Sequence, residues 1–287
     1  MAGFLDRLKG RKADPHAELK RILGEFQLPA FSGVVVEVLR VLRDPNATSA
    51  RIAEVMAADP RLSIDVLRMA NSAYAGAARE IESLGQAVSM LGHSAVESLV
   101  LTIGVRDALP TPNVTGFDRV RFWTAAARRA TVAQAFAGYL HPASQMESFT
   151  ASLLQDLAVP VLARQKGEKY GAVLQAWHHG DGELATLEQS EFGWDHTEVG
   201  GWLCNGWGLP ERLAAAVGTH HIDHPEIGAD CPPAVALVGF LRETEDKPGV
   251  DELVAQAREW YGIPEQESID LLKSSEERIE ALLRMFV

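Results

Sequence analysis

The sequence predicts an all-α fold built from two helical lobes. Apolar residues recur every three or four positions along most of the 287 residues, which is the helical period. Prolines, an asparagine and a glycine cluster at 110–118 (PTPNVTGFD), which marks the best internal boundary. We therefore expect an amino-terminal lobe at 25–110 and a second lobe at 119–245. A basic lead-in at 1–24 precedes them, and a helical extension at 246–287 follows.

Five helices are predicted in the amino-terminal lobe. Three consecutive valines in the first of them leave a short strand open as an alternative. Thr48 provides a cap hydroxyl for the second helix, Asn71 and Ser72 stop the third, and Gly92 suits the carboxy-terminal cap of the fourth. The predicted helices are 34–42, 48–59, 61–70, 84–91 and 94–103.

The second lobe is predicted to be helical throughout. An alanine-rich helix led by Trp123 opens it, and Pro160 perturbs the end of the next helix. The predicted helices are 120–141, 149–162, 167–179, 184–191, 196–206, 210–221 and 233–245. A last helix-compatible pattern runs over 271–286, where acidic residues between the apolar ones indicate a solvated face.

Charge and composition limit the classes of partner and compartment. The net charge of -12 opposes binding to nucleic acid, which favours proteins or small molecules as partners. Cys204 and Cys231 lack disulfide or zinc-ribbon spacing and are interpreted as buried thiols in a reducing cytoplasm. No apolar run is long enough for a membrane span and no secretory signal is visible, so we expect a cytoplasmic protein. The basic amino terminus is interpreted as a solvated tail, with weak contact to an anionic membrane as the alternative.

Two stretches of the sequence resemble one known family. The segment VLRMANSAYAGAAREIESLGQAVSMLGHSAVESLVLTI at 66–103 is similar to the signature of the HDOD family, the HD-related output domain of bacterial signalling proteins. The segments ESFTASLLQDLAVPVL and FGWDHTEVGGWLCNGWGLPERL resemble the HD-like half of that family, and the similarity covers roughly 25–245. The resemblance implies an all-α, two-lobed fold with an HD-like carboxy-terminal lobe and a regulatory role.

The same resemblance indicates a damaged metal site. HD phosphohydrolases hold divalent metals with histidines and aspartates, and here the His-Asp pair is Gln155 and Asp156. A glutamine amide is a much weaker metal ligand than an imidazole. An early histidine would fall near Ala125 or Ala126, and the glycine and lysine that follow the pair in catalytic relatives fall at Ala158 and Val159. A late aspartate would fall among Val238, Gly239 and Phe240.

The polar residues that remain define a vestigial cleft. They are Gln155, Asp156, His196, His220 and His221, with Trp194 and Trp202 as residues that line a pocket or pack in the core. We expect no catalysis and no firmly bound cofactor. If a divalent metal binds weakly, its ligands are expected to be Asp156, His196 and His220.

These observations predict a non-catalytic signal-transduction module that acts by contact with another protein, such as a kinase or a receiver protein. A small ligand in the vestigial cleft would tune it. Two alternatives stay open: a metal-dependent phosphohydrolase acting on a nucleotide or cyclic dinucleotide, and a nucleotide-binding sensor without catalysis.

Overall fold

The structure is a computed structural model that describes residues 14–71, 80–242 and 249–284, and within these ranges every regular element is a helix. In the first half these are α1 (Pro15–Leu23), α2 (Gly33–Leu42), α3 (Ser49–Met56), α4 (Pro60–Ala70), α5 (Leu84–Leu91) and α6 (His93–Ala108). In the second half they are α7 (Arg119–Leu140), α8 (Gln145–Leu154), α9 (Ala158–Lys166), α10 (Glu168–His179), α11 (Leu184–Phe192), α12 (His196–Gly206), α13 (Glu211–Gly218), α14 (Pro233–Val238), α15 (Val250–Tyr261) and α16 (Glu265–Leu283), with a short 3-10 turn at Pro142–Ser144. The all-α prediction is confirmed.

The caps expected in the amino-terminal half are present. The hydroxyl of Thr48 accepts a hydrogen bond from the backbone N–H of Arg51, and Gly92 ends α5 with a φ of 80°. The side chain of Asn71 ends α4 by bonding to both the N–H and the carbonyl of Ile81. The valine-rich segment is helix α2, so the strand alternative is wrong, while Ser72 lies outside the described residues.

Part of the lead-in is a docked helix. Leu19, Ile22 and Leu23 of α1 are buried, at the helical spacing of three and four residues that also occurs in the larger helices. The ammonium of Lys166 donates to the carbonyl of Ile22, and the amide of Gln165 donates to that of Leu23. The described part of the lead-in is therefore packed against the second half of the chain, and residues 1–13 lie outside the described residues.

One large hydrophobic core joins the two halves. Its buried members run from Leu19 to Leu282 and include residues on both sides of the connection at 110–118, which contains no helix. Helix α6 packs against α8 across this connection. The hydroxyl of Thr150 on α8 donates to that of Ser98 on α6, at 2.7 Å. The division into two lobes stays a prediction, and the boundary segment joins parts that share one core.

The single helix predicted at 149–162 is wrong, because the chain breaks between α8 and α9. Pro160 has no N–H and cannot donate to the carbonyl four residues earlier, which belongs to Asp156. A proline is well tolerated in the first turn of a new helix, and α9 begins at Ala158. Gln155 and Asp156 consequently lie in the break, where Gln155 is buried and Asp156 is half-buried.

Two further boundaries differ from the prediction. Helix α13 ends at Gly218, so His220 and His221 follow it in a turn instead of lying on it. Helix α14 ends at Val238, and residues 239–242, which directly follow it, are not helical. The extension forms two helices, of which α16 packs along α7.

Among the described residues, no single helix is both long and apolar enough to cross a membrane. Helices α5 and α6 meet that requirement only when taken together across a bend of 119°. Most of α6 is buried in the core.

The two cysteines are deeply buried, and this predicts slow reaction with thiol reagents. Burial raises the pKa of both Cys204 and Cys231 to about 12, so almost no thiolate exists near neutrality. We expect 5,5′-dithiobis(2-nitrobenzoate) at pH 8 to label neither thiol in folded protein and both in urea, followed by absorbance. Rapid labelling of the folded protein would contradict this burial.

Candidate functional site

All five residues of the predicted cleft line one cavity of about 340 Å³. They come from three places in the fold: the break between α8 and α9, the start of α12, and the turn after α13. Helices α7, α10, α11 and α15 supply other walls. The remaining lining residues are Arg129, Trp177, Glu183, Leu184, Ala185, Thr186, Ile222, Asp223, Ala236, Gly239, Phe240, Leu241, Arg242 and Trp260.

Three histidines converge at the centre of the site. The Nε2 of His196 lies 3.3 Å from the Nε2 of His220 and 3.2 Å from the Nε2 of His221. The Oδ1 of Asp156 lies 3.5 Å from the first of these nitrogens and 3.4 Å from the second. His196 and His220 are buried, whereas His221 is exposed as a residue although it lines the cavity.

A buried carboxylate fixes the ring of His196. Glu188 on α11 accepts from the Nδ1 of His196 at 2.6 Å, from its backbone N–H at 2.8 Å, and from the hydroxyl of Tyr170. Burial lowers the pKa of His196, but Glu188 and Asp156 raise it by more, to about 9. The surrounding carboxylates therefore favour a positive charge on the outward nitrogen of this ring.

His220 and His221 have different surroundings from those of His196. The Nδ1 of His220 lies 2.7 Å from the carbonyl of Val217. A carbonyl can only accept, so this nitrogen carries a proton and Nε2 is the ring atom directed at the cavity. Burial lowers the pKa of His221 well below its usual value, and the neighbouring histidines lower it further. His221 is thus neutral near pH 7.

Arg129 is the cation of the site, and the sequence interpretation did not identify it. Its Nη2 lies 2.5 Å from the Oδ2 of Asp156, and its Nη1 donates to the carbonyl of Leu241. Burial raises the pKa of Asp156, but Arg129, His220 and His196 lower it by more, to well below its usual range. A signal was present in the sequence, because this arginine interrupts a run of alanines on a buried helix.

The residues at the positions named for the missing ligands are buried or line the cavity. Ala125 and Ala126 are buried on α7, one helical turn before Arg129 and so on the same face of the helix. Val159 and Val238 are buried, and Gly239 and Phe240 line the cavity without a ligand atom. Gln155 is buried, and its Oε1 has no hydrogen-bond partner.

The two tryptophans proposed as pocket residues do not line this cavity. The ring of Trp194 stacks on Phe192 with centroids 4.8 Å apart, and Trp202 is 1% exposed within the core. They flank His196 in sequence, but Trp194 precedes α12, and Trp202 lies six positions after His196, where a rotation of about 100° per residue turns its side chain to another face. The aromatic walls are instead provided by Trp177, Phe240 and Trp260.

The three histidines have a spacing that fits one divalent metal ion, because their ligand atoms all lie within 4.8 Å of one another. Nitrogens that bind a tetrahedral zinc ion at about 2.0–2.1 Å lie about 3.3 Å apart, and the measured separations around His196 are close to this value. A second ion bridging Asp156 would meet the guanidinium of Arg129 on Oδ2. A metal bound here would supply a fixed positive charge among the histidines.

The helical fold and the histidine-aspartate cluster define a protein of the HD-like helical class. More specifically, the chain belongs to the HDOD domain family, whose family model matches residues 28–222. The family match ends before Phe240, Leu241 and Trp260, so part of the cavity wall comes from outside the matched region.

Solved structures share this fold over nearly the whole chain. A candidate phosphohydrolase from Shewanella amazonensis SB2B has a TM-score of 0.71 at 23% identity, covering 94% of this chain and 98% of that one. An HDOD domain protein of unknown function from Geobacter sulfurreducens has a TM-score of 0.68 at 22% identity, covering 98% and 99%. A candidate signal transduction protein from Marinobacter aquaeolei VT8 has a TM-score of 0.71 at 20% identity, covering 100% and 67%.

An uncharacterized protein from Treponema pallidum (strain Nichols) is 23% identical over 220 residues, which is 76% of this chain. The chain spans 42% of the length of that curated relative.

Proposed function

We propose that this protein is a non-catalytic signal-transduction module that acts by binding another protein in the bacterial cytoplasm, such as a kinase or a receiver protein. Membership of the HDOD family supports a regulatory role. The net charge of -12 supports protein or small-molecule partners over nucleic acid. In this proposal the HD-like helical fold provides a surface that binds another protein and does not hydrolyse a substrate.

The observation that carries the proposal is the guanidinium of Arg129 on Asp156. Two-metal hydrolysis requires a carboxylate that is free to bridge two ions about 3.5–4 Å apart. Here one oxygen of that carboxylate is paired with an arginine, and the adjacent Gln155 is a poor ligand. The lysine expected to bind phosphate is replaced by Val159, which is buried. These features support a site without a bridged metal pair, in which the cations Arg129 and Arg242 are each paired with a carboxylate.

A hydrolysis assay tests the absence of catalysis. Purified protein with added manganese is expected to release no product from nucleoside triphosphates or cyclic dinucleotides, measured by chromatography. A matched Asp156→Asn variant identifies any turnover that comes from a contaminant. Product formation by the wild type that disappears in Asp156→Asn would overturn the proposal in favour of the phosphohydrolase alternative.

A capture experiment tests the protein partner. Exposed apolar side chains occur on the amino-terminal helices α2, α4 and α5, at Val36, Ile64 and Met90. We expect wild-type protein to capture a kinase or receiver protein from native extract, and Ile64→Glu to capture less. Ile227→Glu is the matched control, since Ile227 is 55% exposed and Ile64 is 50% exposed. Equal capture by all three would contradict partner binding through the amino-terminal helices.

A small ligand is the proposed input to this module. The cavity volume falls at the lower end of the range of about 300–1,000 Å³ for small-molecule sites, and aromatic residues form part of its wall. Calorimetry with common signalling nucleotides tests this part. Saturable heat that is lost in Trp260→Ala supports the sensor function, and no heat with any nucleotide removes it.

A further inference from the structure

The aromatic residues of the cavity come from three separate parts of the fold. Trp177 lies in the last turn of α10, Trp260 lies in the last turn of α15, and Phe240 follows α14. All three are half-buried, so part of each ring stays accessible. The ring centroids of Phe240 and Trp260 are 5.6 Å apart, and the two planes are inclined at 57°. These two rings therefore form an angled aromatic wall.

Trp260 is held in position by its neighbours. The ring of His224 stacks on it, with centroids 6.0 Å apart and an interplanar angle of 19°. The hydroxyl of the next residue, Tyr261, donates to the carbonyl of Pro225 at 2.7 Å. These contacts fix the end of α15 against the loop that follows the paired histidines. The aromatic wall is thus preformed by packing that lies beyond the region matched by the family model.

The positively charged side chains that line the cavity already have carboxylate partners. Arg129 pairs with Asp156 at 2.5 Å. Arg242 pairs with Glu183 at 2.7 Å. His196 pairs with the buried carboxylate of α11 at 2.6 Å. An anionic ligand would have to displace one of these carboxylates from its cation, which costs free energy.

One carboxylate of the cavity stands outside these pairs. Asp223 lines the cavity, and its side chain has no hydrogen-bond or ion-pair partner among the described residues. It directly precedes His224, whose ring stacks on Trp260. The faces of aromatic rings are negative, and the last turn of a helix, where Trp177 and Trp260 lie, carries partial negative charge. The charge distribution around the aromatic wall therefore favours a cation.

The same part of the cavity suits methyl groups better than N–H donors. A primary ammonium has three N–H donors, and each needs an acceptor once it leaves water. Other lining residues include Leu184, Ile222 and Leu241, whose side chains offer no acceptor. A quaternary ammonium has no N–H, and aromatic cages are its usual binding sites in proteins.

We propose that Trp177, Phe240 and Trp260 form an aromatic cage that binds a small quaternary ammonium ion, with Asp223 as its counter-charge. The cavity volume of about 340 Å³ suits a small molecule of this kind. The proposal names the chemical class of the ligand that serves as the input, and it rests on the ligand-binding part of the proposed function.

Choline and its neutral isostere test whether the positive charge is recognised. In 3,3-dimethyl-1-butanol a carbon atom replaces the charged nitrogen of choline, and the shape is otherwise the same. Calorimetry of the wild type at constant ionic strength is expected to show saturable binding of choline and about tenfold weaker binding of the alcohol. Equal affinity for the two compounds, or no saturable binding of choline, would overturn the proposal.

Variants of the aromatic wall test the cage itself. Trp260→Leu should weaken choline binding by about tenfold, whereas Trp260→Phe keeps an aromatic face and should lose less. Thermal denaturation checks that both variants fold. Choline affinity in folded Trp260→Leu equal to that of the wild type would refute the cage.

A variant of the counter-charge tests the site without changing its packing. Asp223→Asn alters an exposed side chain and should weaken choline binding by about two- to fivefold, because solvent screens this charge. Glu226→Gln is the matched control, since Glu226 is exposed in the same loop and does not line the cavity. Equal choline affinity in the two variants would remove Asp223 from the site.

The cation site and the proposed function fail separately. Choline binding by protein that captures no partner would keep the cation site and remove the signalling function. Nucleotide binding that is lost in Trp260→Ala, by protein that does not bind choline, would keep the ligand input and remove the cation site.

Discussion

Replacing Arg129 with methionine is expected to lower the free energy of unfolding by about 3–5 kcal/mol at pH 7. The guanidinium is the cation paired with the Oδ2 of Asp156, and both side chains are largely excluded from solvent. Without it, a carboxylate that the structure holds ionised would lose its closest cation in a buried site and would keep only His196, at 3.5 Å. Urea denaturation followed by circular dichroism, with a chelator present to exclude metal effects, measures the change.

A neighbouring arginine and a double variant separate this effect from ordinary packing. Arg128→Met removes the same side chain one position away, where it is partly exposed, and is expected to cost less than about 1 kcal/mol. Adding Asp156→Asn to Arg129→Met should recover most of the lost stability, because the unpaired charge is then gone. Equal losses for the two single arginine variants would show that the pair with Asp156 contributes little.

The residues of the cleft could be predicted from sequence because they follow the chain order of a known family. Gln155, Asp156, His196, His220 and His221 all line the same cavity. Their relative placement could not be predicted, since it depends on two local breaks. Pro160 separates α8 from α9, and α13 ends before the paired histidines. Periodicity identifies helices well but does not locate a break inside an apolar run.

The supporting residues of the site were missed for a different reason. Arg129 and Glu188 lie in helices where charged residues are expected to face solvent, and the alanine run around Arg129 does not distinguish it from the partly exposed Arg128. Their burial follows from how α7 and α11 pack, which is a tertiary property. Similarly, Phe240 and Trp260 reach the cavity only because the segment after α14 and the extension pack beside it.

Glu188 is expected to be the second most sensitive position of the site. Its side chain is fully buried and accepts three hydrogen bonds, two from His196 and one from Tyr170. Glu188→Ala should cost about 3–5 kcal/mol, because three donors lose their acceptor and His196 loses its charge partner. Glu188→Gln should cost about 1.5–3 kcal/mol, since an amide oxygen can still accept from His196 and Tyr170 can instead accept from the amide.

The same two variants connect stability with metal binding by the three histidines. Glu191→Gln, on the exposed side of α11, is the control and should change stability by no more than about 0.5 kcal/mol. If Glu188 orients His196 as a ligand, Glu188→Gln should also lower zinc affinity by about 10–100-fold, measured by competition with a chromophoric chelator. A loss of stability with unchanged zinc affinity would mean that Glu188 acts only in the core. Unchanged stability would contradict the buried network itself, because nothing else in the described part of the chain accepts the Nδ1 proton of His196.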